Sequence, residues 1–230
     1  MKDTKVCTYC DKPGTTGDHV PPKCLFAEPR PALITVPACR KCNQRASLDD
    51  EYFRAVIAME EKAGEHPEAK RIHATILRSF QKPKKKRFRR ALLSRIREVD
   101  RISQAGIYLG RAHAYNVNLT RLARVVERIT RGLFLHHTGR RLPLHCEINA
   151  FSARGLSKKD STAQQTMLEL VALTRANQMY MIGNDVFCYR YAVSADQENS
   201  SVWVFVVYQG MSFISLTTDL AHPPGGASAS

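Results

Sequence analysis

The chain has 230 residues, 43% of them hydrophobic, with a formal net charge of +14 and a pI near 9.7. That hydrophobic content supports a packed core and excludes a disordered chain. No run approaches the ~18 apolar residues of a membrane span. The start Met1-Lys2-Asp3-Thr4-Lys5 lacks the apolar stretch of a secretory signal, so a cytoplasmic location with no membrane partner is expected. A charge this large attracts polyanions, of which nucleic acid is the commonest in a cytoplasm.

Residues 5–47 read as one unit in the order strand, loop, strand, helix. A knuckle at Cys7–Cys10 leads through Pro13-Gly14 to an extended stretch, Thr16–Val20, which Pro21-Pro22 ends. After a proline-containing loop, Leu33-Ile34-Thr35-Val36 reads as a short strand stopped by Pro37. The second knuckle, Cys39–Cys42, opens a short helix through Arg40–Ser47. An amphipathic helix is expected over 48–64, capped by Asp49 or Asp50, with Tyr52, Phe53, Val56 and Ile57 on its apolar face. A further helical stretch runs from Glu65 to near Phe80. Between 82 and 101 there are ten Lys or Arg and two acids, and from Leu92 the spacing of Ile96, Val99 and Ile102 predicts helix. The clearest long helix is 118–135, where Leu119, Leu122, Val126, Ile129 and Leu133 recur at steps of three and four. A helical piece over 161–176 precedes a change of pattern. Val186–Val193, Val202–Tyr208 and Phe213–Thr217 read as strands, joined by turns at Gly183-Asn184-Asp185 and Gln209-Gly210. Residues 221–230 read as a loose tail.

The chemistry sits near the start. Cys7-Thr8-Tyr9-Cys10 and Cys39-Arg40-Lys41-Cys42 are two Cys-x-x-Cys pairs, and four thiolates suit a closed tetrahedral zinc site. A unit of about 45 residues buries too little core to fold unaided, and zinc supplies the missing stability. The other reading of such pairs is a thiol redox couple. Between the pairs lies Asp18-His19, and Asn43 follows the last cysteine. Asp, His and Asn are the groups that hold an oxygen-preferring metal and activate a water beside it. Adjacent strand residues point to opposite sides, so a twist or bulge is expected at Asp18-His19.

Cys7-x-x-Cys10, Asp18-His19-Val20-Pro21-Pro22 and Cys39-x-x-Cys42-Asn43 together resemble the HNH endonucleases, in their zinc-stapled ββα-metal branch. The resemblance covers residues 5 to about 53. It implies that His19 is the general base, and that Asp18 and Asn43 hold a catalytic Mg²⁺ or Mn²⁺. It also implies that Cys7, Cys10, Cys39 and Cys42 hold a structural zinc. The family usually has an Asn shortly before the second knuckle that orients the histidine. Here Leu33–Val36 has none, and Thr35 or a backbone carbonyl takes that place.

The basic run is expected to contact phosphates through Lys84, Lys85, Lys86, Arg87, Arg89 and Arg90, with Arg40, Lys41 and Arg45 nearest the site. Its bland reading is a solvated helix face. His136-His137 with His145 and Cys146 can be drawn as a second metal cluster, but a charged helix C-terminus is the reading taken. Cys24 and Trp203 are read as core. The expected fold is α+β, divided into 1–50, a nuclease unit; 51–220, helices followed by an antiparallel sheet; and the tail. The expected function is metal-dependent cleavage of phosphodiester bonds in nucleic acid, DNA first. A double-strand break then needs a homodimer or two visits. Two other classes stand beside it: a non-catalytic zinc module binding DNA or RNA through the basic stretch, and a protein-interaction adaptor using the C-terminal sheet.

Overall fold

A computed structural model describes residues 5–103, 105–153 and 161–219, and the expected tail at 221–230 lies outside them. The structure is mixed α and β with antiparallel sheets. Strand β1 (Thr16–Val20) pairs antiparallel with β2 (Ile34–Ala38), Thr16 opposite Ala38 and Val20 opposite Ile34. The register runs without a shift, so the bulge expected at Asp18-His19 is absent. Pro37 lies inside β2 rather than ending it. In a two-stranded ribbon it need not donate, and its carbonyl accepts from both the amide and the hydroxyl of Thr8.

Helix α1 (Arg40–Ala58) replaces the two helices expected over 40–64. Its N-cap is Cys39, whose sulfur accepts from the Cys42 amide. Asp49 and Asp50 therefore lie inside a helix instead of capping one. Arginines of a later helix compensate them, which removes the reason for a break. The break comes at Met59-Glu60, where Glu60 accepts from the Ala63 amide and caps the short α2 (Glu61–Gly64). Then follow α3 (Pro67–Gln81), α4 (Lys86–Leu93), β3 (Ile96–Ile102) and β4 (Tyr108–Tyr115). The helix expected from Leu92 to Ile102 is half strand. The three-residue spacing of Ile96, Val99 and Ile102 suits a helix, but all three are β-branched, and a partner strand beginning and ending in Tyr decides for the ladder.

Helix α5 (Leu119–Thr138) buries Leu122, Val125, Val126, Ile129 and Leu133 along one face, as the sequence period predicts, while Leu119 at its first residue is exposed. Gly132 lets it approach β1, since a Cβ there would stand 2.5 Å from the Val20 side chain. The Thr130 hydroxyl donates to Ser215 at 2.8 Å and ties α5 to the C-terminal sheet. Strand β5 (Glu147–Ser152) and helix α6 (Ser161–Ala172) precede β6 (Tyr180–Ile182), β7 (Phe187–Val193), β8 (Ser201–Val207) and β9 (Met211–Thr218). These strands form one antiparallel sheet in the order β5-β9-β8-β7-β6. The expected strands and both turns are present. Trp203 is fully buried and stacks on Tyr191, so it is core. Tyr208, in the β8–β9 turn at φ 48°, buries its ring and donates to the Leu25 carbonyl.

Two compact units emerge: residues to Ile72 with those from Thr120, and His73–Leu119. No helix among the described residues is long and apolar enough to cross a membrane.

Candidate active site beside a four-cysteine cluster

Cys7 and Cys10 flank a tight turn closed by the Cys7 amide on the Lys12 carbonyl at 2.8 Å, and Cys39 and Cys42 start α1. The β1–β2 ribbon joins them, and the four sulfurs lie within 4.8 Å of one another. The Cys10 sulfur is 3.7 Å from that of Cys39 and 3.6 Å from that of Cys42. Four thiolates about 2.3 Å from one tetrahedral ion stand roughly 3.8 Å apart, so the cluster can hold a zinc ion. The Cys42 amide, donating to the Cys39 sulfur, holds that thiol down to about 7. Arg141, in the loop after α5, donates to the carbonyls of Cys7 and Cys10 and to the Asp11 carboxylate, fixing the first knuckle from outside.

Beside the cluster an open cleft of about 480 Å³ is lined by Asp18, His19, Arg40, Asn43, Ser47 and Asp50 among others. The structure thus brings Asp18, His19 and Asn43 to one place without a bulge. Asp18 faces the interior of β1, 6% exposed, and Asn43 sits one turn into α1.

Each of the three side chains is tethered through one polar atom. Asp18 accepts the Tyr9 hydroxyl at 2.7 Å and forms an ion pair with Arg128, whose Nε stands 3.3 Å away, both on Oδ2. Asn43 donates from Nδ2 to the Gly17 carbonyl at 3.0 Å and to the Thr16 hydroxyl at 3.3 Å. His19 meets its cross-strand partner Thr35 through Nδ1, 3.2 Å from Oγ1. The Thr35 hydroxyl also lies 3.4 Å from the Leu33 carbonyl, which can take its one proton and leave its oxygen to accept from His19. In that arrangement the imidazole proton is on Nδ1 and the lone pair on Nε2. Asp18 Oδ1, Asn43 Oδ1 and His19 Nε2 are not used by these tethers.

Arg128, on α5, was not singled out by sequence reasoning. Its guanidinium is nearly buried between Asp18 and Asp50, bonding the second through its terminal nitrogen. Burial pushes the Asp50 carboxyl up to about 6 against the pull of Arg128. Burial, with Asp18 alongside, raises the Tyr9 phenol well above its ordinary value, so it remains a donor. Asp49 binds Arg121 at 2.7 Å and Arg124 at 2.8 Å. The signal was present: Arg121, Arg124, Arg128 and Arg131 recur at helical spacing, and Asp49-Asp50 is the complementary pair. Cys24 donates to the Asp50 carbonyl, and burial pushes its thiol up to about 12, in line with a structural role.

The expected phosphate contacts divide between the units. Arg40, Lys41 and Arg45 are exposed on the first turns of α1. Lys84, Lys85, Lys86, Arg87, Arg89 and Arg90 belong to the unit His73–Leu119. That unit holds twelve Lys and Arg against two acids, +10 of the chain's +14. His136 and His137 end α5 as read from the sequence. His137 sits among the rings of Tyr180, Tyr189, Tyr191 and Trp203, with Nε2 2.9 Å from the Tyr189 hydroxyl.

Compared with models of protein families, with curated proteins and with solved structures, the chain matches none. What the cleft can do must follow from its own atoms.

Proposed function

We propose that this chain is a metal-dependent endonuclease of the HNH kind, a zinc-stapled ββα-metal unit that hydrolyses phosphodiester bonds in DNA. One observation carries the reading. Asp18, His19 and Asn43 line one cleft, each held by one atom and each with the chemically useful atom left over.

The hairpin β1–β2 followed by α1, closed by four cysteines, is the arrangement such a unit requires. The zinc would sit on Cys7, Cys10, Cys39 and Cys42, fully ligated and without an open position for chemistry. The catalytic divalent metal would be held by Asp18 Oδ1 and Asn43 Oδ1, oxygens of the kind Mg²⁺ or Mn²⁺ prefers. When bound, that metal supplies positive charge against the phosphate and the leaving oxygen. Ligation by these atoms leaves every tether in place. His19 accepts a proton from the attacking water at Nε2, and Thr35 keeps the imidazole in the tautomer that can do so. Thr35 thereby takes the part that an Asn plays in the family. Arg128 holds Asp18 in position and offsets the charge of Asp18 and Asp50 together. Arg40, Lys41 and Arg45 would contact the phosphates nearest the cleft, and the basic unit would add sequence-independent affinity.

The concentration of charge in His73–Leu119 also favours a second reading, nucleic-acid binding without cleavage. Incubation of supercoiled plasmid with Mg²⁺ or Mn²⁺ separates the two. The wild type should nick, and a folded His19→Ala protein that keeps its zinc should be slower by about 10²–10⁴-fold. Equal, salt-sensitive binding by both proteins with nicking by neither would establish the binding module instead.

A further inference from the structure

A different set of ligating side chains meets at the start of β5, away from the four cysteines in sequence and independent of the nuclease reading. The chain passes from α5 to β5 through a loop that Arg131 holds. Its guanidinium donates to the carbonyls of Leu142, Pro143 and Cys146 at 3.2, 3.1 and 3.1 Å. The β5–β9 ladder begins with Glu147 opposite Thr218. One step beyond that pair stand Cys146, 3% exposed, and Asp219, 7% exposed. His145 is next to Cys146, its side chain half exposed, with Nε2 3.1 Å from Asp219 Oδ1. Asn199 donates to the other carboxylate oxygen, Oδ2, at 2.9 Å.

We propose that His145, Cys146 and Asp219 form a second zinc site, with three protein ligands and a fourth position open to water. The imidazole nitrogen, thiol sulfur and carboxylate oxygen already lie within 4.8 Å of one another. Nitrogen and oxygen ligands about 2.0–2.1 Å from one tetrahedral ion stand roughly 3.3 Å apart, close to the 3.1 Å between His145 and Asp219. The donor set selects the ion. Thiolate with imidazole favours zinc or another borderline-soft divalent ion over Mg²⁺ and Ca²⁺. The outer contacts suit ligation as well, because Asn199 fixes the carboxylate and Arg131 fixes the backbone that carries the other two ligands. On binding, the Cys146 thiol forms its bond to the ion and releases its proton to water. The exposed edge of His145 gives the ion its path. The closed four-cysteine site offers no free position, so chelators should empty the second site first. The competing description is an ordinary His–Asp hydrogen bond beside a buried cysteine.

Metal content of the full-length protein decides between them. Wild type and His145→Ala are dialysed against excess zinc, freed of loose metal by gel filtration, and measured by plasma mass spectrometry. The site predicts one zinc fewer per chain in His145→Ala, with the same loss in Cys146→Ser and Asp219→Asn. Equal zinc in wild type and His145→Ala overturns it. The count is a difference, so it does not depend on occupancy of the four cysteines. His145 is exposed enough for its truncation to leave the fold intact, which circular dichroism checks. Cobalt substitution gives a second readout. A thiolate charge-transfer band should fall in Cys146→Ser, and a spectrum identical to wild type would also overturn the site.

Discussion

In the unit formed by residues to Ile72 and from Thr120, five arginines of α5 and the loop after it are committed one by one to named acceptors. Arg121 and Arg124 hold Asp49, Arg128 holds Asp18 and Asp50, Arg131 holds three loop carbonyls, and Arg141 holds the first knuckle. In His73–Leu119, Lys82, Lys84, Lys86, Arg87 and Arg90 lie exposed along one stretch of sequence. Fixed charges at short range set the geometry that chemistry needs. Exposed charges at high density set a field that acts over a Debye length and fades with salt. Positive charge is thus spent on fixing a cleft in one region and left facing solvent in the other.

Removing a fixed charge should therefore be the most disruptive change. Arg128→Met leaves Asp18 and Asp50 facing each other in a buried setting and should cost about 3–5 kcal/mol of stability, measured by urea denaturation. Asp50→Asn added to it should recover part of that loss, and no recovery would mean that Arg128 acts through packing. Removing exposed charge should leave folding alone. Lys82, Lys84 and Lys86 changed together to Ala should weaken DNA binding. The salt slope of log affinity should fall by roughly 0.9 for each phosphate that is no longer neutralised. A triple variant with unchanged slope would remove this unit from the nucleic-acid interface. Smaller still is the effect of Thr35→Val, which removes the hydroxyl that meets Nδ1 of His19. The nicking rate should drop about tenfold with DNA affinity unchanged.

The smallest effect concerns pH. Burial holds His137 down to about 4, whereas in the unfolded chain it titrates near 6.5. The unfolded state takes up the proton first, so this histidine's contribution is intact above about pH 6.5 and is lost as pH falls toward 4. With its partial exposure taken into account, that is about 1 kcal/mol. Thermal denaturation at pH 7 and pH 4.5 should show a smaller drop for His137→Phe than for the wild type.

Much of the fold was legible where one signal dominated. The three-and-four spacing of Leu122, Val126, Ile129 and Leu133 has one helical solution, and the apolar run at Val202–Tyr208 lies in the middle of the sheet. It failed where pairing with another strand overrode a helical spacing, as at Ile96, Val99 and Ile102, and where a distant partner overrode a local cue. Asp49 and Asp50 look like caps until Arg121, Arg124 and Arg128 are seen beside them. The cleft residues were found by type and spacing alone, because Cys-x-x-Cys and Asp-His are local. Their tethers were not. Tyr9 reaching Asp18 and Arg128 reaching it from α5 depend on the packing of distant segments.

Arg128 stands 110 positions after Asp18, and the whole of His73–Leu119 is threaded between the two. The cleft is thus written in two instalments, interrupted by the region that carries most of the charge. Such a layout makes the interrupting segment a guest in its host. Exchanging 73–119 for another segment whose ends meet the same two attachment points would keep the groups around Asp18 and remove most of the chain's net charge. Residues 5–58 cut out alone would carry Asp18 without its counter-ion, so the motif that is easiest to recognise is not a portable part.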